Sequence, residues 1–431
     1  MGQIELFLNI TVGLIMIILL AQLFGSMAQK VGQPRVVGEM ISGIFLGPTF
    51  FGYLLPDIQG QIFNNETISI LFVLSIIALA FYMFIVGLEI DFSKLEKSVA
   101  RHTFFLSIAG FFPAAITGFL VAFLLYGNFV VNSNSLVFSL FIGTAVAMTA
   151  FPMLTRILEE KGITHTKVGT LALFSASIID VFCWILLAVV LALHKANGYG
   201  SVLFTFFGLL LLVIVGYFII RPIIQWMITT KFQNAIKDNE SLPPVLFATI
   251  LSLILLYAIS TEVLGLYAVF GGFVLGVCMP RKKLFQKKLI ASMEPMVKVF
   301  LLPIFFAYSG LKTQFIGLMN PSIISIIIIL TIACFISKYG ACTLTMRAMG
   351  YSWRTSSSVG SLMNAKGLME LILANVGLST GIISEEVFAL LIIISVITTA
   401  AAMPLYNYSL TKESRILQKN GSKPTSLTQK N

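Results

Sequence analysis

Charged residues are scarce in this chain of 431 residues: Asp, Glu, Lys and Arg make up 11% of it, and 58% of its residues are hydrophobic. A soluble globular domain carries about 25% charged residues, so the composition excludes an ordinary soluble enzyme. Uncharged runs long enough to cross a bilayer as a helix recur along the whole chain. The composition therefore predicts an all-α polytopic membrane protein.

The residues of common metal and catalytic sites are also few. The three histidines, His102, His165 and His194, lie near the ends of predicted spans, and the four cysteines lie inside spans without metal-ligand spacing. Neither H-E-x-x-H nor G-x-S-x-G occurs in the sequence. We therefore expect no enzymatic activity, no resident metal and no cofactor.

The net charge of +10 could indicate a nucleic-acid partner, but its placement favours membrane topology instead. Lys and Arg cluster in one short loop (281–288) and after residue 409, and cytoplasmic segments are the ones that retain such charges. An N-terminus outside and a C-terminus inside put nearly all Lys and Arg in the cytoplasm, and no nucleic-acid binding is expected. The thirteen predicted spans are 6–26, 36–54, 67–89, 102–126, 136–158, 168–193, 201–226, 243–260, 264–280, 292–311, 321–345, 355–377 and 384–408.

The chain repeats itself weakly. "GIFLGPTF" (43–50) is echoed by "GFVLGVCM" (272–279), and "FIVGLEID" (84–91) by "AYSGLKTQ" (307–314) at nearly the same offset. The first copy of the second motif ends at the predicted cytoplasmic side and the second copy outside. This pattern predicts two six-span repeats of inverted topology, joined by the seventh span, as in many secondary transporters.

Two predicted spans are interrupted at corresponding positions of these halves. In "TAVAMTAFPMLTRIL" (144–158), Pro152 lacks an amide donor, so the helix should break around Thr149, Ala150, Phe151 and Pro152. "SLMNAKGLMELILANVG" (361–377) is interrupted by four residues. They are Asn364, Lys366, Gly367 and Glu370. Matched breaks predict a substrate site; the alternative is a pair of simple kinks.

Asp180 is an acid in the middle of an uncharged span, about 18 Å from its start at 1.5 Å per residue. An ionised, unpaired carboxylate there costs roughly 2.5–3.5 kcal/mol, so we expect either work on an ion or a structural ion pair. Lys338 is a second deep charge, for which the alternative is pairing with an acid to hold helices together. Glu39 and Glu89 lie nearer to span ends and are either interfacial or on an access path.

Burial gives the carboxyl of Asp180 its predicted chemistry. Low dielectric disfavours the ionised form, so the group can hold a proton or a small cation, but not both. Oxygen ligands suit Na⁺ or K⁺; Asp180 would supply the charge, and hydroxyls such as Thr149 or Ser177, with unwound backbone, would complete the shell. Competition for one carboxylate, exposed to each side in turn, is sufficient for cation/proton exchange.

At these residues the sequence resembles the monovalent cation:proton antiporter superfamily. The similar branch contains plant cation/proton exchangers, bacterial sodium/proton antiporters and glutathione-gated potassium efflux systems. The resemblance covers about residues 5–408 and rests on "RVVGEMISGIFLGPTFFG" (35–52), "FIVGLEIDFSKL" (84–95), "TAFPMLTRIL" (149–158), "SIIDVFCWILL" (177–187), "SKYGA" (337–341) and "GSLMNAKGLMELILANVGLSTGIIS" (360–384).

The resemblance implies thirteen spans, with a dimerisation domain and a mobile core domain interleaved in residues 1–408, and a homodimer. It implies elevator-type motion, and half-helices that cross at 149–152 and around 364–367. The ion-binding aspartate falls on Asp180 and the core lysine on Lys338, with Lys366 and Glu370 balancing charge in the core. The setting implied is a bacterial plasma membrane.

One position departs from the family pattern. The family usually has Asp or Asn immediately before the ion-binding Asp, and this chain has Ile179. Lys338 then lacks that partner, and Asp180 is the obvious substitute. We therefore hypothesise one proton per cation and electroneutral exchange.

Several alternatives stay open on sequence alone. The chain could be a gated potassium efflux channel or transporter on the same scaffold, or a proton-coupled exporter of another small solute. An intramembrane enzyme has no motif in its favour, and Na⁺ is not distinguished from K⁺. Residues 409–431 are expected to form a short basic cytoplasmic tail, too short for a fused nucleotide-binding domain.

Overall fold

The structure is a computed structural model, and it describes residues 2–89, 97–128, 133–160, 162–163, 166–195, 199–232, 242–313 and 321–409. Within these ranges the regular structure is entirely helical, as the composition predicts. The predicted basic tail, apart from Ser409, and His165 lie outside the described residues.

Nineteen α-helices follow one another along the described chain. They are α1 Gln3–Lys30, α2 Arg35–Leu46, α3 Phe51–Leu54, α4 Pro56–Ile62, α5 Asn65–Glu89, α6 Lys97–Leu125, α7 Ser135–Ala147, α8 Phe151–Glu160, α9 Lys167–Lys195, α10 Tyr199–Val215, α11 Arg221–Trp226, α12 Pro244–Val263, α13 Ala268–Cys278, α14 Lys283–Met296, α15 Leu302–Leu311, α16 Pro321–Ala348, α17 Trp353–Leu362, α18 Leu368–Ser379 and α19 Glu385–Ser409. Short π-helical segments continue α10, α11 and α14: Gly216–Ile220, Met227–Lys231 and Val297–Leu301.

Ten helical stretches of the described chain are long and apolar enough to cross a membrane. Each falls on a predicted span, and the other three predicted spans (136–158, 264–280 and 355–377) fall on shorter helices. Two of those three are the spans with the predicted interruptions. The chain is thus an integral multi-pass membrane protein, and its count of thirteen spans, its inverted repeats and its N-out orientation stay predictions.

The long helices pack as two interleaved groups. The first group comprises α1, α2, α5 and α12–α15, and the second comprises α6–α9 and α16–α19. Helix α10 contacts both, through α9 and α13. Each group therefore combines one segment from the first half of the chain with one from the second half.

Glycines set the closest helix approaches in the first group. A Cβ added to Gly310 of α15 would overlap the backbone of Gly43 in α2, and one added to Gly272 of α13 would overlap the backbone of Ala80 in α5. These are the glycines of the repeated sequence motifs. Motifs from opposite halves therefore pack in pairs, 43–47 against 306–310 and 80–88 against 272–277.

Candidate functional site

The first broken helix lies between α7 and α8. Helix α7 ends at Ala147, residues 148–150 are not helical, and α8 begins at Phe151. The predicted interruption is present, and the helix that precedes it ends before Pro152. Pro152 is the second residue of a new helix, where a proline is accommodated because the first-turn amides have no partner within the helix.

The second broken helix lies between α17 and α18. Helix α17 ends at Leu362, and α18 begins at Leu368 after Gly367, whose φ of +50° is in the left-handed region. An L-residue rarely adopts that backbone conformation, so glycine is needed at this point. The predicted interruption around Asn364 to Gly367 is therefore present too.

The two interruptions touch each other. The amide of Ala150 donates to the carbonyl of Ala365 at 3.0 Å, and the Thr149 hydroxyl donates to the carbonyl of Met363 at 3.0 Å. The bonds satisfy backbone groups that two broken helices leave without partners, as membrane depth requires. Helix α19 completes this arrangement, because Thr399 Oγ1 accepts the amides of Lys366 and Gly367 at 3.2 and 3.0 Å.

Asp180 lies beside this contact, on α9. It is completely buried, and its Oδ2 accepts the backbone amide of Phe151 at 3.1 Å, at the N-terminus of α8. A helix N-terminus favours a negative charge. Oδ1 has no hydrogen-bond partner among the described residues. One carboxylate oxygen is thus fixed by the broken helix. The other oxygen can accept a proton or bind a cation.

Lys338 contacts the other end of the same break. It is completely buried on α16, and its ammonium group donates to the carbonyls of Ala147 and Met148, the latter at 2.7 Å. These carbonyls end α7, and a helix C-terminus favours a positive charge. The ion pairs within 4 Å in the described part of the chain do not include one between Lys338 and Asp180. The expected pairing is absent from this conformation because backbone carbonyls hold the ammonium group.

Lys366 and Glu370 form a buried ion pair, with 3.2 Å between Lys366 Nζ and Glu370 Oε1. Lys366 Nζ also donates to the carbonyl of Ala145 at 3.3 Å, so both lysines lie at the C-terminal end of α7. Glu370 is in the first turn of α18, where a negative charge is again favoured. The pair thus links the two broken helices, and the charge-balancing role suggested for it stays a prediction.

The two hydroxyls suggested as cation ligands are both buried and both engaged. Thr149 bonds to Met363, and the Ser177 hydroxyl donates to Phe174, in its own helix, at 2.8 Å. Ser177 lies three residues before Asp180 and so on the same face of α9. Each hydroxyl oxygen keeps lone pairs that can face a cation.

The suggested access-path residues lie on helices of the first group, α2 and α5. Glu39 of α2 is buried and pairs with Arg35 at 3.1 Å. Glu89 is the last residue of α5 and is half-buried. Neither lines the cavity of about 790 Å³ between the two helix groups, so their suggested place on an access path gains no support from it.

A cavity with a volume of about 790 Å³ lies between the two helix groups. Its walls come from α5, α12 and α13 on one side and from the C-terminal ends of α9 and α18 on the other. Asp180 is not among its lining residues. Sequence reasoning missed this cavity, as well as Thr399 and the carbonyls of α7, because only the packing brings these groups together.

Matched broken helices that carry buried, partly compensated charges, within a bundle of long apolar helices, define a membrane transporter of the secondary-active type. The chain belongs to the sodium/hydrogen exchanger family, since the family profile "Sodium/hydrogen exchanger, transmembrane" matches residues 15–405. Its relatives place it in the monovalent cation:proton antiporter superfamily, as the sequence motifs indicate.

Two curated relatives illustrate the match. The Na⁺/H⁺ antiporter NhaS4 of Synechocystis sp. is 36% identical over 400 residues, covering 92% of this chain and 96% of that protein. The Cation/H⁺ antiporter 18 of Arabidopsis thaliana is 30% identical over 410 residues, which are 95% of this chain and 50% of the plant protein. The chain therefore spans about half the length of this plant relative.

Among solved structures, the fold is similar to that of the sodium proton antiporter MjNhaP1 from Methanocaldococcus jannaschii. The TM-score is 0.60 with 19% sequence identity, and the match covers 96% of this chain and 99% of the other. At that identity the likeness concerns the fold alone.

Proposed function

We propose that the chain exchanges a monovalent cation, Na⁺ or K⁺, for protons across a bacterial plasma membrane, and that Asp180 binds the cation and the proton in turn. The observation that carries this proposal is the position of Asp180. Its carboxylate is buried at the contact of two broken helices, with one oxygen fixed by the Phe151 amide and the other without a hydrogen-bond partner in the described part of the chain. The cation/H⁺ and Na⁺/H⁺ antiporters among the relatives are consistent with this chemistry.

Alternating access would come from movement of one helix group against the other. The group that contains α6–α9 and α16–α19 carries Asp180, Lys338 and both breaks, so it is our candidate for a mobile core. The group with α1, α2, α5 and α12–α15 would be the static, dimer-forming part. Its backbone-to-backbone glycine contacts support such a role, because close packing leaves little freedom for internal movement.

The charges of the core support one proton per cation. Asp180 and Glu370 supply two negative charges, and Lys338 and Lys366 two positive ones, all completely or almost completely buried. A proton or a monovalent cation on Asp180 then gives the core the same net charge of +1. Exchange by such a core carries no net charge across the membrane. An electrogenic current driven by a cation gradient, absent in Asp180→Asn, would contradict this stoichiometry.

The test is reconstitution into liposomes that contain a pH-sensitive dye. After an acid-inside pH gradient is set up, external Na⁺, K⁺, Li⁺ or Rb⁺ is added in turn, and recovery of the dye signal reports proton exit. We expect recovery with the wild type and none with Asp180→Asn. Asp57→Asn, at an exposed acid on α4, is the matched control and should behave as wild type.

Competition at one carboxylate also predicts the pH dependence. As pH falls, protons occupy more of the Asp180 carboxyls, so the apparent KM for the cation should rise, by up to about tenfold per pH unit, with Vmax unchanged. A KM that does not depend on pH would contradict shared occupancy. Cation flux with no opposite movement of protons would instead indicate the channel alternative.

A further inference from the structure

We infer that Glu262 attracts the transported cation to the 790 Å³ cavity between the two helix groups, and that this cavity is the cation entrance from one side of the membrane. The inference rests on the proposed cation/proton exchange. To that exchange, the inference adds a residue, far from Asp180, that governs cation access.

The cavity is placed where an entrance is needed. It opens at one end of the bundle, because its lining includes the C-terminal ends of α9, α12 and α18, the start of α13 and the N-terminal half of α5. Leu191, at the cavity wall, lies eleven residues beyond Asp180 on the same helix, or about 16 Å at 1.5 Å per residue. On α9 the wall of the cavity is therefore about eleven residues away from Asp180.

The wall of the cavity is divided between the two helix groups. Ala80 of α5 and Ala268 of α13 belong to the group locked by glycine contacts, whereas Leu191 and Val376 belong to the group that carries the broken helices. Sliding of one group past the other would change the depth of this cavity. That is a property expected of an access route and not of a pocket inside one rigid body.

Glu262 is the only charged residue among those that line the cavity in the described chain. It is exposed, at the end of α12, and its Oε2 accepts the amide of Ala268 at 3.0 Å. That bond fixes the carboxylate at the rim. The remaining lining is mostly apolar, with Tyr267, Ser379 and Thr380 as its other polar side chains. Apolar walls focus the field of a fixed charge and raise the local concentration of ions of opposite sign.

At the opposite end of the bundle, a hydrogen bond joins the two groups. The Gln33 side chain, in the α1–α2 loop, donates to the carbonyl of Ala400 in α19 at 3.3 Å. That end also carries the basic loop at 281–283. The cavity therefore opens at the end that the charge distribution predicts to be extracytoplasmic.

The experiment measures cation KM for wild type, Glu262→Gln and Glu262→Lys, in right-side-out and inside-out vesicles, at low and at high ionic strength set with choline chloride. Glutamine keeps an oxygen that can accept the Ala268 amide. We expect Glu262→Gln to raise KM roughly two- to fivefold at low ionic strength, and Glu262→Lys to raise it further, with kcat unchanged. High salt should remove the difference because it screens an exposed charge.

The effect should appear only when the cation is supplied from the extracytoplasmic side. Glu386→Gln is the matched control, since Glu386 is an exposed acid in the first turn of α19 but does not line the cavity. An unchanged KM, a change of equal size at both ionic strengths, or an effect on the opposite side would each overturn the inference. Asp180→Asn in the same vesicles shows separately whether cation/proton exchange itself depends on the proposed site.

Discussion

At the scale of single residues, the four buried charges beside the broken helices differ in their partners. Lys366 and Glu370 have each other, Asp180 has one backbone amide, and Lys338 has two backbone carbonyls. The first pair is compensated within the protein. In the proposed exchange, Asp180 is the carboxylate whose charge the transported ion compensates.

This difference predicts that neutralising one member of the Lys366–Glu370 pair lowers stability and that neutralising both restores most of it. Glu370→Gln leaves Lys366 as an unpaired buried charge, and removal of one partner from a buried pair costs about 3–5 kcal/mol. We expect a marked loss of thermal stability in detergent, measured by intrinsic fluorescence. Lys366→Met combined with Glu370→Gln should recover most of that loss, because no lone charge remains. A double variant less stable than Glu370→Gln would show that the pair acts through its shape and hydrogen bonds instead.

At the scale of helices, the sequence was informative about where helices lie and where two of them break. Apolar runs of bilayer length gave the spans, and the residues of "MTAFP" and "NAKG" marked both interruptions. The contacts could not be predicted, since the Ala150–Ala365 bond joins residues that are far apart in the chain. The contact between Lys338 and two backbone carbonyls could not be predicted either, because every residue has a carbonyl and the sequence does not mark which ones accept a hydrogen bond.

Helix contacts in the first group predict which glycines tolerate a methyl group. Gly310→Ala puts a Cβ into the backbone of α2, and overpacking of this kind costs typically 1–3 kcal/mol. The matched control is Gly340→Ala in α16, where a Cβ meets no atom within 4 Å. Alanine there should be neutral or slightly stabilising, because it favours a helix over glycine. Thermal unfolding of both variants in detergent checks the difference, and equal losses would argue against the close contact of α2 and α15.

At the scale of the whole molecule, the two interleaved helix groups predict which crosslinks stop exchange. Cysteines in place of Gln33 and Ala400 join the groups, so a short thiol-specific crosslinker should block dye recovery and a reductant should restore it. The four native cysteines are buried and free and would be replaced first. Ser357 and Ser409, whose hydroxyls are 2.6 Å apart within one group, give the control pair, which should remain active when crosslinked. Full activity with both pairs crosslinked would refute relative motion of the groups.

The glycine contacts of the first group restrict which substitutions the protein can accept during evolution. Where two backbones touch directly, any side chain larger than hydrogen separates them. Almost no substitution is therefore tolerated at Gly43, Gly272 and Gly310. The outward faces of α1 and α10 are instead exposed and apolar, and one aliphatic or aromatic residue there can replace another. A saturation library selected for growth under salt or acid stress should therefore be depleted of variants at these glycines. It should remain diverse at the exposed apolar positions of α1 and α10.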